Sequence, residues 1–389
     1  MSRVPFPTIT QIKVKNFRSL ADVTIDLDPL TVFVGKNGAG KSNIIDVLRF
    51  VRDALILGLD AGILKRHGMS ALRKWSAKGR PFDIVINLFM KQEGFWEGEY
   101  GFSLGSETRG AYRVKEEHCI VKSGRGKVAF EIKEGKLIQT DVAGAVVQID
   151  IPNPITSLHL STIAGGNFFL VRDVIKNMGF YTIYPDLLRE PQKPANATPL
   201  DEKGQNLSSV LREMKRAKQL PASTISEALG QVVHGIHDFS VTQVGGYLVT
   251  RLHHEKGGPA FELVQESDGT LRMLGILTAL YQTPSRTLLA IEEPELTIHP
   301  GALGVLCDAM KEASSYSQIV ITTHSPDLIY HFAAENLRVV ENPEGETLVG
   351  PVESGQRKAI AQKLFAPGEL MRMEGLRREI PPPKPTKVK

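Results

Sequence analysis

Apolar and polar residues alternate along ITQIKVKNF (residues 9–17) and DVTIDL (22–27), and then the alternation stops, because LTVFVG (30–35) is apolar up to its glycine. Period-two alternation predicts strands with one wet face, and a continuous apolar run closed by Gly predicts a strand covered on both sides. The next stretch, SNIIDVLRFVRDALILGL, has the three-to-four-residue apolar spacing of a helix. Strand, glycine loop and helix in that order form the unit in which phosphate loops occur.

From about residue 80 to 170 the pattern returns to strands. PFDIVINLFM, EYGFSL, AYRVKEEHCIV, KVAFEIKEGKLIQ and VVQIDIP, separated by Gly-containing turns, predict an antiparallel meander. Residues 166–235 read as helical, with LSSVLREMKRAK the clearest stretch and PQKPANATP a linker before it. Two further strands, FSVTQVGGYLVTRLH and PAFELVQ, lead into the helix GTLRMLGILTALYQ. After it, TLLAIEE, GALGVLCDAMKEA, SQIVITT, PDLIYHFAAE and LRVVEN alternate strand and helix, the signature of a parallel sheet covered by helices. The predicted fold class is α/β, a mostly parallel sheet flanked by helices with an antiparallel β subdomain and a helical insert. The chain divides into 1–60, a β-rich 80–165, a helical 166–236, 237–345, and a strand and helix within 346–380. The Pro/Lys-rich 381–389 is expected to be a disordered tail. No sustained heptads predict a long coiled coil.

Composition narrows the class. With 389 residues, 42% hydrophobic and 23% charged, the chain is long enough to bury a large core. The longest uncharged stretch near the middle, Ser157–Val171, is too short and too polar to span a bilayer, and MSRVPFP has no leader pattern. A cytoplasmic protein with no membrane contact is expected. Only Cys119 and Cys307 are present, so no disulfide framework or zinc hook is expected. The net charge of +4 is mild, but KRHGMSALRKWSAKGR (65–80) holds six Lys/Arg and no acid, a candidate DNA-facing patch beside the ordinary reading of a solvated basic face.

The candidate chemistry sits at four points. GKNGAGKS (35–42) fits G-x-x-x-x-G-K-[ST] at every position, so its glycines let successive N–H groups turn toward phosphate oxygens. Lys41 would reach the β- and γ-phosphates and the Ser42 hydroxyl would ligate Mg²⁺. LLAIEEPELTIHP (288–300) ends an apolar strand in Glu292 and Glu293, one suited to the metal and the other to a water molecule. Glu295, past the proline, is expected to shape the loop that runs to His299 and Pro300. ITTHSPDLI (321–329) delivers His324 at a strand tip, which in an open α/β sheet falls on the same edge as the phosphate loop. QESDGTLRMLGIL (265–277) places Ser267 and Gly269 before a helix, as an anion site or as an ordinary N-cap.

These four stretches, in this order and with the opening strand IKVKNFRSL, resemble the ABC-type P-loop ATPase head of RecF, SMC and OLD-family proteins. The resemblance implies that Gly35, Lys36, Asn37, Gly38, Ala39, Gly40, Lys41, Ser42 and Asn43 bind ATP, and that Ser42 and Glu292 hold Mg²⁺. It implies Glu293 as the catalytic acid and His324 as the γ-phosphate switch. Ser267 and Gly269, in a signature loop reading ESDGT rather than LSGGQ, would complete the nucleotide site of a second copy, so an ATP-dependent homodimer is implied. Arg18 would reach the nucleotide, and Gln192 is the guess for a Q-loop. OLD nucleases carry a Toprim domain after the head, whereas only about 50 residues follow LRVVEN here. The expectation is therefore an ATPase switch acting on a separately encoded effector such as a nuclease, in DNA repair or phage defence. A non-hydrolysing ATP-gated adaptor and a transporter ATPase subunit are the alternatives.

Overall fold

A computed structural model describes residues 5–74, 83–107, 111–151, 155–163, 167–195, 199–217, 220–233, 235–254 and 257–380. Its strands, in chain order, are β1 (Thr8–Phe17), β2 (Leu20–Asp26), β3 (Leu30–Val34), β4 (Ile84–Gln92), β5 (Trp96–Ser106), β6 (Tyr112–Ser123), β7 (Gly126–Lys133), β8 (Lys136–Thr140) and β9 (Val146–Asp150). They continue as β10 (Met178–Tyr181), β11 (Asp238–Val244), β12 (Tyr247–His253), β13 (Ala260–Glu262), β14 (Leu288–Glu292), β15 (Gln318–Thr323), β16 (Leu337–Glu341) and β17 (Leu348–Pro351).

Three sheets form. The central one has the order β10-β14-β15-β3-β16-β17, parallel except for the antiparallel edge strand β17. Side chains of a strand alternate between faces, and here both faces are covered. Phe33, Leu288, Ala290, Val320 and Val340 pack toward the helix Lys41–Ile56. Val32, Val34, Leu289, Ile291, Ile319 and Ile321 pack toward the helices Asp268–Tyr281 and Leu303–Ala313 on the other side. That double burial is why these strands read as unbroken apolar runs.

The expected mostly parallel sheet describes only this one. The largest sheet has eight antiparallel strands in the order β2-β1-β4-β5-β6-β7-β8-β9, and the third, β11-β12-β13, is antiparallel too. Tight hairpins explain it: Ser123 pairs with Gly126 and Lys133 with Lys136, and connections that short can join only antiparallel neighbours. The N-terminal β1 and β2 belong to the large sheet, because β1 pairs with both β2 and β4. Gln318, at the start of β15, ties the two sheets together: its Oε1 accepts from Ile9 N (2.9 Å) and its Nε2 donates to Ile9 O (2.8 Å). FSVTQVGGYLVTRLH is two strands rather than one, folded back at Gly245, which adopts φ +56°.

One polar group is fully buried in the large sheet. Glu117 of β6 accepts from His159 N (2.6 Å), Leu160 N (3.0 Å) and Tyr100 Oη (3.1 Å), so it fastens the 158–161 turn to the sheet. Burial pushes its carboxyl up to about 7 against the pull of those donors. A folded pKa above the unfolded value contributes stability that is full below about 4.5 and fades as pH rises toward about 7. Glu117→Ala should therefore cost about 3 kcal/mol in urea unfolding at pH 5 and visibly less at pH 8.

Candidate functional site

The phosphate loop joins β3 to the helix Lys41–Ile56, whose N-cap, Gly40, adopts φ +99° and has no side-chain cap. A Cβ at Gly40 would lie 2.0 Å from Thr347 Oγ1, so the position excludes other residues on both counts. Buried Thr347 donates to Ala39 O (3.0 Å) and shares a hydrogen bond with Ser19 Oγ (2.7 Å), while Asn342 Nδ2 donates to Gly38 O (3.2 Å). The β16–β17 connection thus holds the loop from behind and leaves the first-turn amides of a four-turn helix uncapped, the arrangement that attracts an anion. Lys36, Asn37, Gly38 and Ser42 are exposed.

Lys41 is buried and folds back onto the loop, donating to Gly35 O (2.7 Å) and Lys36 O (3.1 Å). Burial lowers its pKa, and the nearby charges of Glu293 and Glu295 oppose that shift. Asn43 turns away from the loop: its Nδ2 donates to Ser19 Oγ (2.7 Å) and its Oδ1 accepts from Arg18 (3.4 Å). Arg18 itself pairs with Asp46 (3.1 Å), so both residues fasten the β1–β2 turn to the helix.

Strand order brings the remaining groups to the same edge. β15 lies between β14 and β3, with Glu292 level with Thr322 and Thr323 level with Val34. Acids, histidine and phosphate loop therefore leave three adjacent parallel strand tips. Glu292 points to the face of the phosphate-loop helix and pairs with Arg49, two turns along from Ser42 (3.1 Å). Glu293 adopts φ +45°, which for a residue with a Cβ needs external support. Its N–H donates to Thr322 O (2.9 Å), and its carbonyl accepts from Arg272 Nη2 (2.8 Å). So held, its carboxylate meets His324 Nδ1 at 3.1 Å, with both side chains about one-third exposed (30% and 39%).

Glu295 lies in the loop just past the end of β14. It is 9% exposed, turned inward, and accepts from Thr323 Oγ1 (2.5 Å). Proline at 294 forces the turn after the strand, and the inward side of that turn is the site itself.

Ser267 caps its own helix, Oγ accepting from Thr270 N (3.2 Å), and among the described residues no hydrogen bond joins it or Gly269 to the phosphate loop. Gly269 instead abuts the loop after the acids: a Cβ there would lie 2.8 Å from Thr297 O. Gln192 is buried, with Oε1 accepting from Ser208 N (2.7 Å) and its carbonyl accepting from Leu248 N (2.8 Å). In the basic segment, Arg66 is buried between Asp46 (2.8 Å) and Asp53 (3.2 Å), and Lys74 pairs with Glu346, so neither is a free cation. Trp75, Lys78 and Arg80 lie outside the described residues.

Residues 30–329 match the family model described as "AAA domain, putative AbiEii toxin, Type IV TA system". The chain belongs to this AAA-domain family. Within it, the chain is an ABC-type ATPase head of the RecF, SMC and OLD group. It is 23% identical over 407 residues to Endonuclease GajA of Bacillus cereus (strain VD045), covering 92% of this chain and 64% of that protein. It is 22% identical over 409 residues to the Old nuclease of Escherichia phage P2, covering 92% of this chain and 62% of that protein. The chain thus spans less than two thirds of either relative. Its fold is like that of an Smc head crystallised with the C-winged helix domain of ScpA (TM-score 0.56, 14% identity, 90% of this chain and 99% of that one).

The AAA-domain head fits a nucleotide triphosphate on its own geometry: an uncapped helix N-terminus, a buried lysine on the loop carbonyls, and a glycine that no other residue replaces. Exposed Ser42 and the Glu292 carboxylate are the groups that could hold magnesium, with Glu292 released from its pairing with Arg49. Among the described residues no group of three or more His, Cys, Asp or Glu forms a metal cage, so a cation here would draw most of its ligands from phosphate and water. No helix among the described residues is long and apolar enough to cross a membrane.

Proposed function

We propose that this chain binds and hydrolyses ATP with Mg²⁺, that two copies close on the nucleotide, and that the closed state switches a separately encoded effector such as a nuclease in DNA repair or phage defence. The observation that carries the reading is the Glu293–His324 contact at 3.1 Å on the two strand tips next to the phosphate loop. Lys41 and the loop amides bind the phosphates. Ser42 and Glu292 hold the metal, which neutralises charge on the phosphate oxygens when bound. Glu293 polarises the attacking water, and His324 orients Glu293 and senses the γ-phosphate. Arg272, on the helix that Ser267 caps, donates to the carbonyls of Glu293 and of Ile183 (2.6 Å). Contact of Ser267 and Gly269 with a second copy's nucleotide would then be felt at Glu293 of the same chain.

The nuclease names of the two relatives support an effector acting on nucleic acid; of the described cations in 65–80, half-buried Arg73 and exposed Lys65, which lies 3.9 Å from Asp53, are the ones that could face DNA. Phosphate release and sizing of the purified protein test the reading. ATP with Mg²⁺ should give turnover and shift the protein to twice its mass. A monomer under saturating ATP would remove the switch, and ATP binding without phosphate release would leave the ATP-gated adaptor.

A further inference from the structure

Glu295 is a buried acid with one oxygen engaged and the other, Oε2, without a partner among the described residues. Its engaged oxygen ends a relay: Ser325 N donates to Thr323 Oγ1 (2.9 Å), and Thr323 Oγ1 donates to Glu295 Oε1 (2.5 Å). Thr323 O in turn accepts from Gly35 N (3.4 Å), the first residue of the phosphate loop. His324 lies between the two relay residues, and Ser325 caps the short helix that follows, Oγ accepting from Leu328 N (3.2 Å). Thr323, just before His324, is therefore fastened both to the phosphate loop and to Glu295, and Ser325, just after it, is fastened back to Thr323.

The charge of Glu295 acts on the same neighbours. Lys41, Arg272, His324 and Glu293 all lie near enough to interact with it electrostatically. Burial pushes its carboxyl above the ordinary carboxylate range, while the Thr323 hydroxyl and His324 pull it back. A carboxylate buried with one free oxygen is costly unless cations nearby offset it, and Lys41 and Arg272 are the cations present.

We propose that Glu295 is a positioning residue of this site: through Thr323 it sets His324 against Glu293, and its charge balances Lys41 at the root of the phosphate loop. This rests on the ATPase reading, so the test has one arm that needs no turnover. In hydrogen exchange without nucleotide, Glu295→Ala should lower protection of the 323–329 amides by about tenfold, because one buried hydrogen bond and the relay behind it are lost. Glu295→Gln, whose amide oxygen still accepts from Thr323, should stay within about threefold of wild type. In the second arm, Glu295→Ala should lower kcat about tenfold or more with ATP affinity within about threefold, since the loss is one of aim rather than of binding. Thr323→Val should cost less in the Glu295→Ala background than in wild type, where it breaks both the bond to Glu295 and the one from Ser325 N, as expected of two members of one relay. Unchanged protection in Glu295→Ala overturns the proposal, and so do additive losses or a defect confined to ATP affinity. Absence of turnover in the wild type would overturn the ATPase reading alone, and the exchange arm would still decide the relay.

Discussion

Glu293→Gln should cut steady-state ATP turnover by about 100-fold or more while leaving ATP affinity within about threefold. The amide keeps the shape of the side chain and can still meet His324, but it no longer draws a proton from water. Backbone placement should survive, because it depends on Thr322 O and Arg272 rather than on the carboxylate. With binding intact and turnover stopped, the variant should accumulate as an ATP-bound dimer in sizing experiments. Turnover equal to wild type would remove Glu293 from the chemistry. The same variant is the bait of choice for the effector, since it holds the closed state longest.

Lys41→Ala should act on the other half of the site, weakening ATP binding by about 100-fold or more in a direct titration. Lys41 Nζ already lies in the loop, on the carbonyls of Gly35 and Lys36, so a phosphate entering the loop meets a pre-placed cation. The variant should melt within a few degrees of wild type, because burial makes the lysine charge costly before any phosphate offsets it. If Lys41→Ala bound ATP as well as wild type, the phosphate loop would not be the nucleotide site. The two variants divide the cycle: one binds and does not turn over, the other does not bind.

Several elements were legible from local pattern because local pattern caused them. GKNGAGKS specifies its turn through glycines, and the structure has positive φ at Gly40, where the motif places glycine, and at Gly38, where this sequence adds one. LTVFV, TLLAIEE and SQIVITT read as covered strands because both faces of the central sheet are buried. Four-residue β10 was not legible: MGFY lies in a segment that reads as helical, yet it is wholly buried and pairs in parallel with β14. Its continuous apolar run GFYTIY was the available signal, but a run that short cannot be told from a buried helix turn by periodicity. The membership of β1 and β2 in the large antiparallel sheet was equally hidden, because alternation reveals a strand and not its neighbour.

The sequence by itself determined the composition of the site: a phosphate loop, two adjacent acids closing a strand, a histidine closing another, and a serine opening a helix. Each is a local fact of residue type and spacing. Only the tertiary structure decided what each group does to the others. Register between β14, β15 and β3 set Glu293 against His324, and side-chain reach across the sheet paired Glu292 with Arg49. Ser267 proved to cap its own helix, and Glu295, which reads from sequence only as part of the loop to His299 and Pro300, turned inward onto Thr323. A run of three acids around a proline says that carboxylates are present, whereas burial and hydrogen-bond partners, which come from residues distant in the chain, decide which carboxylate faces water and which holds the site together.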